Sequence, residues 1–220
     1  MNKIQLGRRY APDKRDQQYP MRACLPRASA RQVRYWKDNY WIGNQGPHPY
    51  CVGFAWTGWL EAGPIRPITR RKPCINPAWI YNEAQKVDEW PGESYEGTSV
   101  RAGAKVLQKA GYIQSYHWTT DFQDIKRVLL DIGPVVVGTN WHTRMNNPRN
   151  GIIRARGKLL GGHAYMLTGI NCRRRLVRIL NSWGTSWGRG GHAFIPFGDL
   201  AKLIRAQGEV CLAVEIPKEG

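Results

Sequence analysis

The sequence predicts an α+β fold, and two observations carry that expectation. Up to residue 133 the apolar residues recur mostly at helical spacing, whereas beyond it they gather into short β-prone runs separated by turns. Gly133-Pro134 stands at the change of pattern, where a helix would have to stop.

Taken in order, residues 1–43 are polar, basic and proline-punctuated, and read as an arm extended across the body or a partly disordered tail. From Cys51 to Ala62, the residues Val52, Ala55, Trp59 and Ala62 fall near helical spacing. Phe54 and Trp56 widen that stripe, so a mostly buried helix is expected with Cys51 in its first turn. Asn76 caps a second helix, Pro77 occupies its first position, and Ala78 to Val87 continues it. Thr98 or Ser99 caps a third, with Val100, Ala104, Leu107 and Ala110 on one face and Gly111 ending it. Asp121 to Ile132 is a fourth. The β-prone runs are Val135–Val137, Ala164–Ile170, Leu176–Leu180, His192–Ile195 and Val210–Ile216, interrupted by a short helix over Asp199–Ala206. The expected organisation is a basic arm (1–43), a helical lobe (44–133) and a β lobe (134–220), with a cleft between the lobes as a natural ligand site.

Composition narrows the class. At 220 residues, 42% hydrophobic and 22% charged, the chain can bury one sizeable core or two small ones. No apolar run reaches membrane-spanning length and Met1–Arg9 has no secretory character, so no membrane partner is expected. The five cysteines (Cys24, Cys51, Cys74, Cys172 and Cys211) are odd in number and contain no Cys-x-x-Cys pair. That pattern suits neither a disulfide framework nor a zinc knuckle; four of the thiols read as structural, and no metal or cofactor is implied. The net charge of +17 gathers partly at Arg66–Lys72, Arg154–Lys158 and Arg173–Arg175. Such clusters would attract nucleic acid or an acidic protein, or would simply form a solvated face. Nothing in the sequence bears on oligomeric state.

Three segments carry chemistry. Gln45-Gly46-Pro47-His48-Pro49-Tyr50-Cys51 ends in a thiol at a helix start, where the helix dipole and an imidazolium would depress its pKa. Gly161-Gly162-His163-Ala164 supplies an imidazole, and Asn181-Ser182-Trp183-Gly184 an amide able to orient it. Together with the Gln45 side chain and the Cys51 backbone N–H as oxyanion donors, they make a complete set for cysteine-based acyl transfer.

Laid out in this order, the residues resemble the papain-like cysteine peptidases, in a compact bacterial or bacteriophage form. Gln45 precedes Cys51 by six residues and Phe54-Ala55 follow, as in the family; Gly162-His163-Ala164 and the eight residues from Asn181 to Gly188 are similar to its histidine and asparagine segments. The resemblance covers about residues 40 to 216. It implies a helical lobe and a barrel-like β lobe flanking an active-site cleft, with protein or peptide as substrate. It also implies roles: Cys51 as nucleophile, His163 as base and then acid, Asn181 orienting His163, and Gln45 donating to the oxyanion. Trp183 would shield the His163–Asn181 bond, while Gly97 and Gly162 would edge the substrate groove.

Departures accompany the match. His48 and Val52 replace the cysteine and aromatic that the family carries around its nucleophile, and Cys51 and His163 are 112 residues apart, fewer than the family's roughly 130–150. The missing cysteine suits a reducing compartment, hence a cytoplasmic or virion-associated location. Only 50 residues precede Cys51, which is short for the family's inhibitory pro-segment. The competing reading is a catalytically idle basic protein on the same fold, docking acidic protein or nucleic acid. That role predicts salt-dependent binding to polyanions that Cys51→Ala leaves unchanged.

Overall fold

Side-chain caps start the helices where the sequence supplies them. The computed structural model describes residues 5–27, 29–36, 42–62, 75–92 and 94–215. The Asn76 side chain accepts from the Ala78 N–H to open α2 (Pro77–Gln85), Ser99 accepts from Ala102 to open α3 (Val100–Lys109), and Asp121 accepts from Gln123 to open α4 (Phe122–Asp131). Helix α1 runs Cys51–Ala62, as its apolar spacing predicts, and a fifth helix, α5, spans Phe197–Arg205. Cys74, Ile216 and the basic run 66–72 lie outside the described residues.

The strands are β1 (Val33–Tyr35), β2 (Ile113–Thr119), β3 (Val135–His142), β4 (Leu159–Asn171), β5 (Leu176–Leu180), β6 (His192–Pro196) and β7 (Glu209–Glu215). They form one antiparallel sheet in the order β2-β7-β3-β4-β5-β6, with β1 added alongside β4. Helices and sheet make the α+β architecture expected. Two strands were not: β1 is too short to show a period, and β2 sits between two helices and alternates only partly.

Alternation along β3 explains the packing. Val136 faces α1 and α3, in a core with Trp56, Leu60, Leu107, Ala164 and Met166. Val135 and Val137 point the other way, into a second core with Leu129, Trp141, Ile153, Leu167 and Leu203. The α1–α2 contact is close enough to require Gly53, where an added Cβ would stand 2.0 Å from the Pro77 carbonyl oxygen. Gly53→Ala is therefore expected to destabilise the chain by about 3 kcal/mol, read as a lower midpoint in urea with an unchanged m-value.

The residues before α1 are stitched over the body. Asp16 pairs with the buried Arg101, the Trp118 N–H donates to the Tyr19 carbonyl (3.0 Å), and the Trp36 indole donates to the Leu129 carbonyl (2.7 Å). In the described residues the arm lies across the molecule, the first of the two forms the sequence allows. No helix among them is long and apolar enough to cross a membrane.

Candidate active site

Each expected site residue is placed by a different element. Cys51 opens α1, whose first-turn hydrogen bond runs from Phe54 N to the Tyr50 carbonyl (3.0 Å). The Cys51 thiol is wholly buried and takes a backbone hydrogen bond from Ala164, the residue after His163 on β4. His163 pairs in register with Thr139 of β3 and is also fully buried. Its Nε2 lies 2.8 Å from Asn181 Oδ1. A carbonyl oxygen only accepts, so Nε2 carries the proton and Nδ1 keeps its lone pair. That Nδ1 is buried and has no hydrogen-bond partner.

Aromatic rings enclose this pair. The Trp183 ring centre is 5.1 Å from that of His163, and Trp141 meets the imidazole edge-on at 4.7 Å. Trp183 is 8% exposed and its ring lies over the buried His163–Asn181 pair. Trp141 shares that placement and carried no local signal in the sequence.

Gln45 is held from two sides. Its backbone N–H donates to the Ser182 carbonyl (2.8 Å), and the Ser182 hydroxyl donates to Gln45 Oε1 (2.5 Å). With Oε1 so held, Gln45 Nε2 donates to the carbonyls of Gln5 (2.9 Å) and His48 (2.7 Å). Ser182 is thus a positioning residue that the sequence motif contains but does not single out. His48 is exposed and stacks on Tyr50, with ring centres 4.9 Å apart.

Residues 5–10 lie against the site between two backbone segments: Thr98 N donates to the Gly7 carbonyl (2.9 Å), Arg9 N to the Thr98 carbonyl (2.9 Å), and Arg8 N to the Gly162 carbonyl (3.1 Å). Gly7 contributes a backbone hydrogen bond to the Cys51 thiol. The groove edge on one side is thus Thr98. The Gly97 N–H is taken by the Tyr81 hydroxyl (2.8 Å), and Gly97 serves instead by making room. Its φ is +92°, and a Cβ there would stand 2.6 Å from the Gly7 carbonyl oxygen. Gly162 accepts from the strand on the opposite edge.

Burial under this strand sets the protonation states. Desolvation pushes the Cys51 thiol up to about 11, and the backbone hydrogen bonds from Ala164, Gly7 and Val52 offset it only in part. Desolvation lowers His163 to about 4 against a smaller opposing effect of Asn181. The covered site therefore holds a neutral thiol and a neutral imidazole, in place of the ion pair expected from the helix start. The unfolded chain binds the His163 proton below pH 6.5 and the folded chain only below about 4. Stability contributed by the neutral ring is present above pH 6.5 and is lost as pH falls through this window. Relative to His163→Gln, the wild-type chain is expected to lose about 3 kcal/mol between those limits, measured by urea unfolding at stepped pH.

Three comparisons bear on this arrangement. The sequence model described as papain family cysteine protease matches residues 74–203. An uncharacterized peptidase C1-like protein of Acanthamoeba polyphaga mimivirus is 28% identical over 141 residues, which are 60% of this chain and 44% of that protein. The match thus spans less than half the length of that relative. Among solved structures, xylellain, a cysteine protease from Xylella fastidiosa, superposes with a TM-score of 0.75 at 19% identity, covering 98% of both chains. Digestive procathepsin L2 from the larval midgut of Tenebrio molitor gives 0.69 at 15% identity, over 96% of this chain and 78% of that one. At these identities the structural matches establish the papain-like fold.

Proposed function

This chain belongs to the papain family of cysteine proteases, and from that premise we propose that it hydrolyses peptide bonds with Cys51 as nucleophile and His163 as base, latent while residues 5–10 fill the groove. The observation that carries the reading is the His163 ring: Asn181 holds the proton on Nε2, and a buried, unpartnered Nδ1 is left to accept another.

Once the groove is open, water reaches the site and the desolvation that keeps both groups neutral is relieved. His163 Nδ1 takes the thiol proton, and the Cys51 sulfur attacks the substrate carbonyl carbon. Negative charge then develops on the carbonyl oxygen, against the Cys51 N–H and Gln45 Nε2, whose amide Ser182 holds by its Oε1. Collapse breaks the C–N bond, the imidazolium protonates the departing amine, and a thioester remains. Water, giving its proton to His163, attacks the thioester and frees Cys51.

Alkylation separates this reading from the idle scaffold. In the 220-residue chain with its groove opened by Gly7→Ala, iodoacetamide at pH 7.5 is expected to label Cys51 at least tenfold faster than Cys172, resolved by peptide mass spectrometry. Equal rates at the two thiols would sink the peptidase assignment. In the same chain, Cys51→Ala is expected to abolish release of fluorophore from peptidyl-coumarin substrates.

A further inference from the structure

A row of side chains crosses the outer face of the sheet. Tyr35 of β1 stands opposite Gly169 of β4, Gly169 opposite Arg178 of β5, and Arg178 opposite Phe194 of β6. The neighbours of this row on its strands, Ile170, Val177, Ile179, Ala193 and Ile195, point into the core, so the row itself faces outward. Gly169 brings its members together. A Cβ there would stand 2.6 Å from Tyr35 Cδ1; without one, the Tyr35 ring centre comes to 5.3 Å from Arg178 Cζ and meets the Phe194 ring edge-on at 6.0 Å. Arg178 is fixed in place by donating from Nε to Thr168 Oγ1 (2.9 Å) and from Nη2 to the Trp36 carbonyl (2.6 Å). Tyr35 stays 40% exposed. The row is a held edge of aromatic rings and one guanidinium, open to solvent at Tyr35.

Three arginines follow at one end of this row. In the turn between β4 and β5 the Arg175 N–H donates to the Cys172 carbonyl (3.3 Å) and the Arg174 N–H to Asn171 Oδ1 (2.9 Å), and Arg173, Arg174 and Arg175 are all exposed. Arg175 is three residues from Arg178, about 10 Å of extended chain. Among the described residues no ion pair engages any of the three. From Val135 to Glu215 the acidic residues are Asp199, Glu209 and Glu215; Asp199 is held by Arg154 (2.6 Å) and Glu209 by Arg8 (3.0 Å). The positive charge of the turn is therefore left for a partner. Phosphates match it, and a base matches the Tyr35 ring, since aromatic side chains beside basic ones hold unpaired nucleotides by stacking and charge together. An acidic peptide would answer the arginines and leave the ring without a role, and a duplex keeps its base faces covered. We propose that this face binds single-stranded nucleic acid, with a base stacked on Tyr35 and the adjoining phosphates held by Arg173, Arg174 and Arg175. The surface is separate from the groove. Gly169 lies six residues beyond His163 on β4, about 20 Å along the strand, so nucleic acid bound there leaves Cys51 and His163 untouched.

The test involves no cleavage and is independent of the peptidase reading. The 220-residue chain is titrated into a fluorescein-labelled thymidine dodecamer, and binding is followed by anisotropy over a series of salt concentrations. Micromolar or tighter binding is expected at low salt, weakening as salt rises. Arg173→Gln, Arg174→Gln and Arg175→Gln together are expected to weaken binding about tenfold or more and to make the log–log salt slope shallower by about 2. Tyr35→Ala is expected to weaken it about tenfold with the slope unchanged, while Tyr35→Phe, which keeps the ring, changes it less than about twofold. Tyr35→Leu keeps apolar bulk over Gly169 without a flat face; it is expected to behave as Tyr35→Ala and carries the test if the alanine variant unfolds. Arg144→Gln, Arg156→Gln and Lys158→Gln together remove the same charge near the opposite end of β4, where the Arg144 N–H bonds the Arg156 carbonyl, and are expected to cost less than about threefold. Absence of binding at low salt overturns the proposal, as do equal losses from the two triple variants. Binding that Tyr35→Leu leaves unchanged, a duplex bound as tightly as the single strand, or polyglutamate bound more tightly than either overturns it too.

Discussion

Gly7→Ala is expected to raise peptidase activity of the 220-residue chain about a hundredfold. The Gly7 position is pressed against the loop that leads to Cys51, and an added Cβ would lie 1.8 Å from the Pro49 carbonyl oxygen. That backbone atom belongs to the segment between Gln45 and Cys51 and cannot yield without disturbing both. Overpacking of this kind costs about 3 kcal/mol, and the cost falls on the occupied state alone, since the released strand meets no such atom. A shift of that size moves the closed-to-open ratio by about a hundredfold. Hydrolysis of a peptidyl-coumarin and alkylation of Cys51 should rise together. An active wild-type chain that Gly7→Ala leaves unchanged would mean that residues 5–10 do not restrain it.

In that opened background, His163→Ala is expected to lower kcat by about 10⁴-fold, with little change in KM. In the proposed mechanism the ring both removes the thiol proton and delivers one to the leaving amine, and general acid–base roles of this kind are worth up to about 10⁴. Asn181→Ala should cost about 10², because the ring loses its orientation and the enforced Nε2 tautomer while its chemistry remains. The iodoacetamide rate provides the control, since it depends on the thiolate and on no leaving group. It should fall with His163→Ala, so slow turnover with undiminished alkylation would assign the proton transfers to another group.

Much of this was readable in the sequence because its determinants are local. Asn76, Ser99 and Asp121 cap the helices they precede, and the apolar spacing from Cys51 to Ala62 marks α1 to the residue. The His163–Asn181 pair is legible because β4 and β5 are sequential strands whose hydrogen-bonded partners lie close in the chain. What stayed hidden is non-local. Arg8 and Glu209 are 201 residues apart, and neither lies in a motif. Residues 5–10 have no periodicity of their own because their hydrogen bonds come from Thr98, Gly162 and Gln45. Val33–Tyr35 is a strand only because β4 offers its backbone there. Ser182 looked like part of a recurring segment; its hydroxyl is what holds the Gln45 amide by its Oε1.

Pairing of β1 with β4 has a consequence for how restraint works. The groove-filling residues are joined to a strand knitted into the sheet and to Trp36, whose indole and carbonyl are bonded to Leu129 and Arg178. Under the proposed latency, residues 5–10 that leave the groove stay leashed to its rim, as a ligand with a local concentration on the order of millimolar. Restraint of this form is independent of dilution. It yields to a competitor only as that competitor approaches the same local concentration, and it ends for good only when the leash is cut.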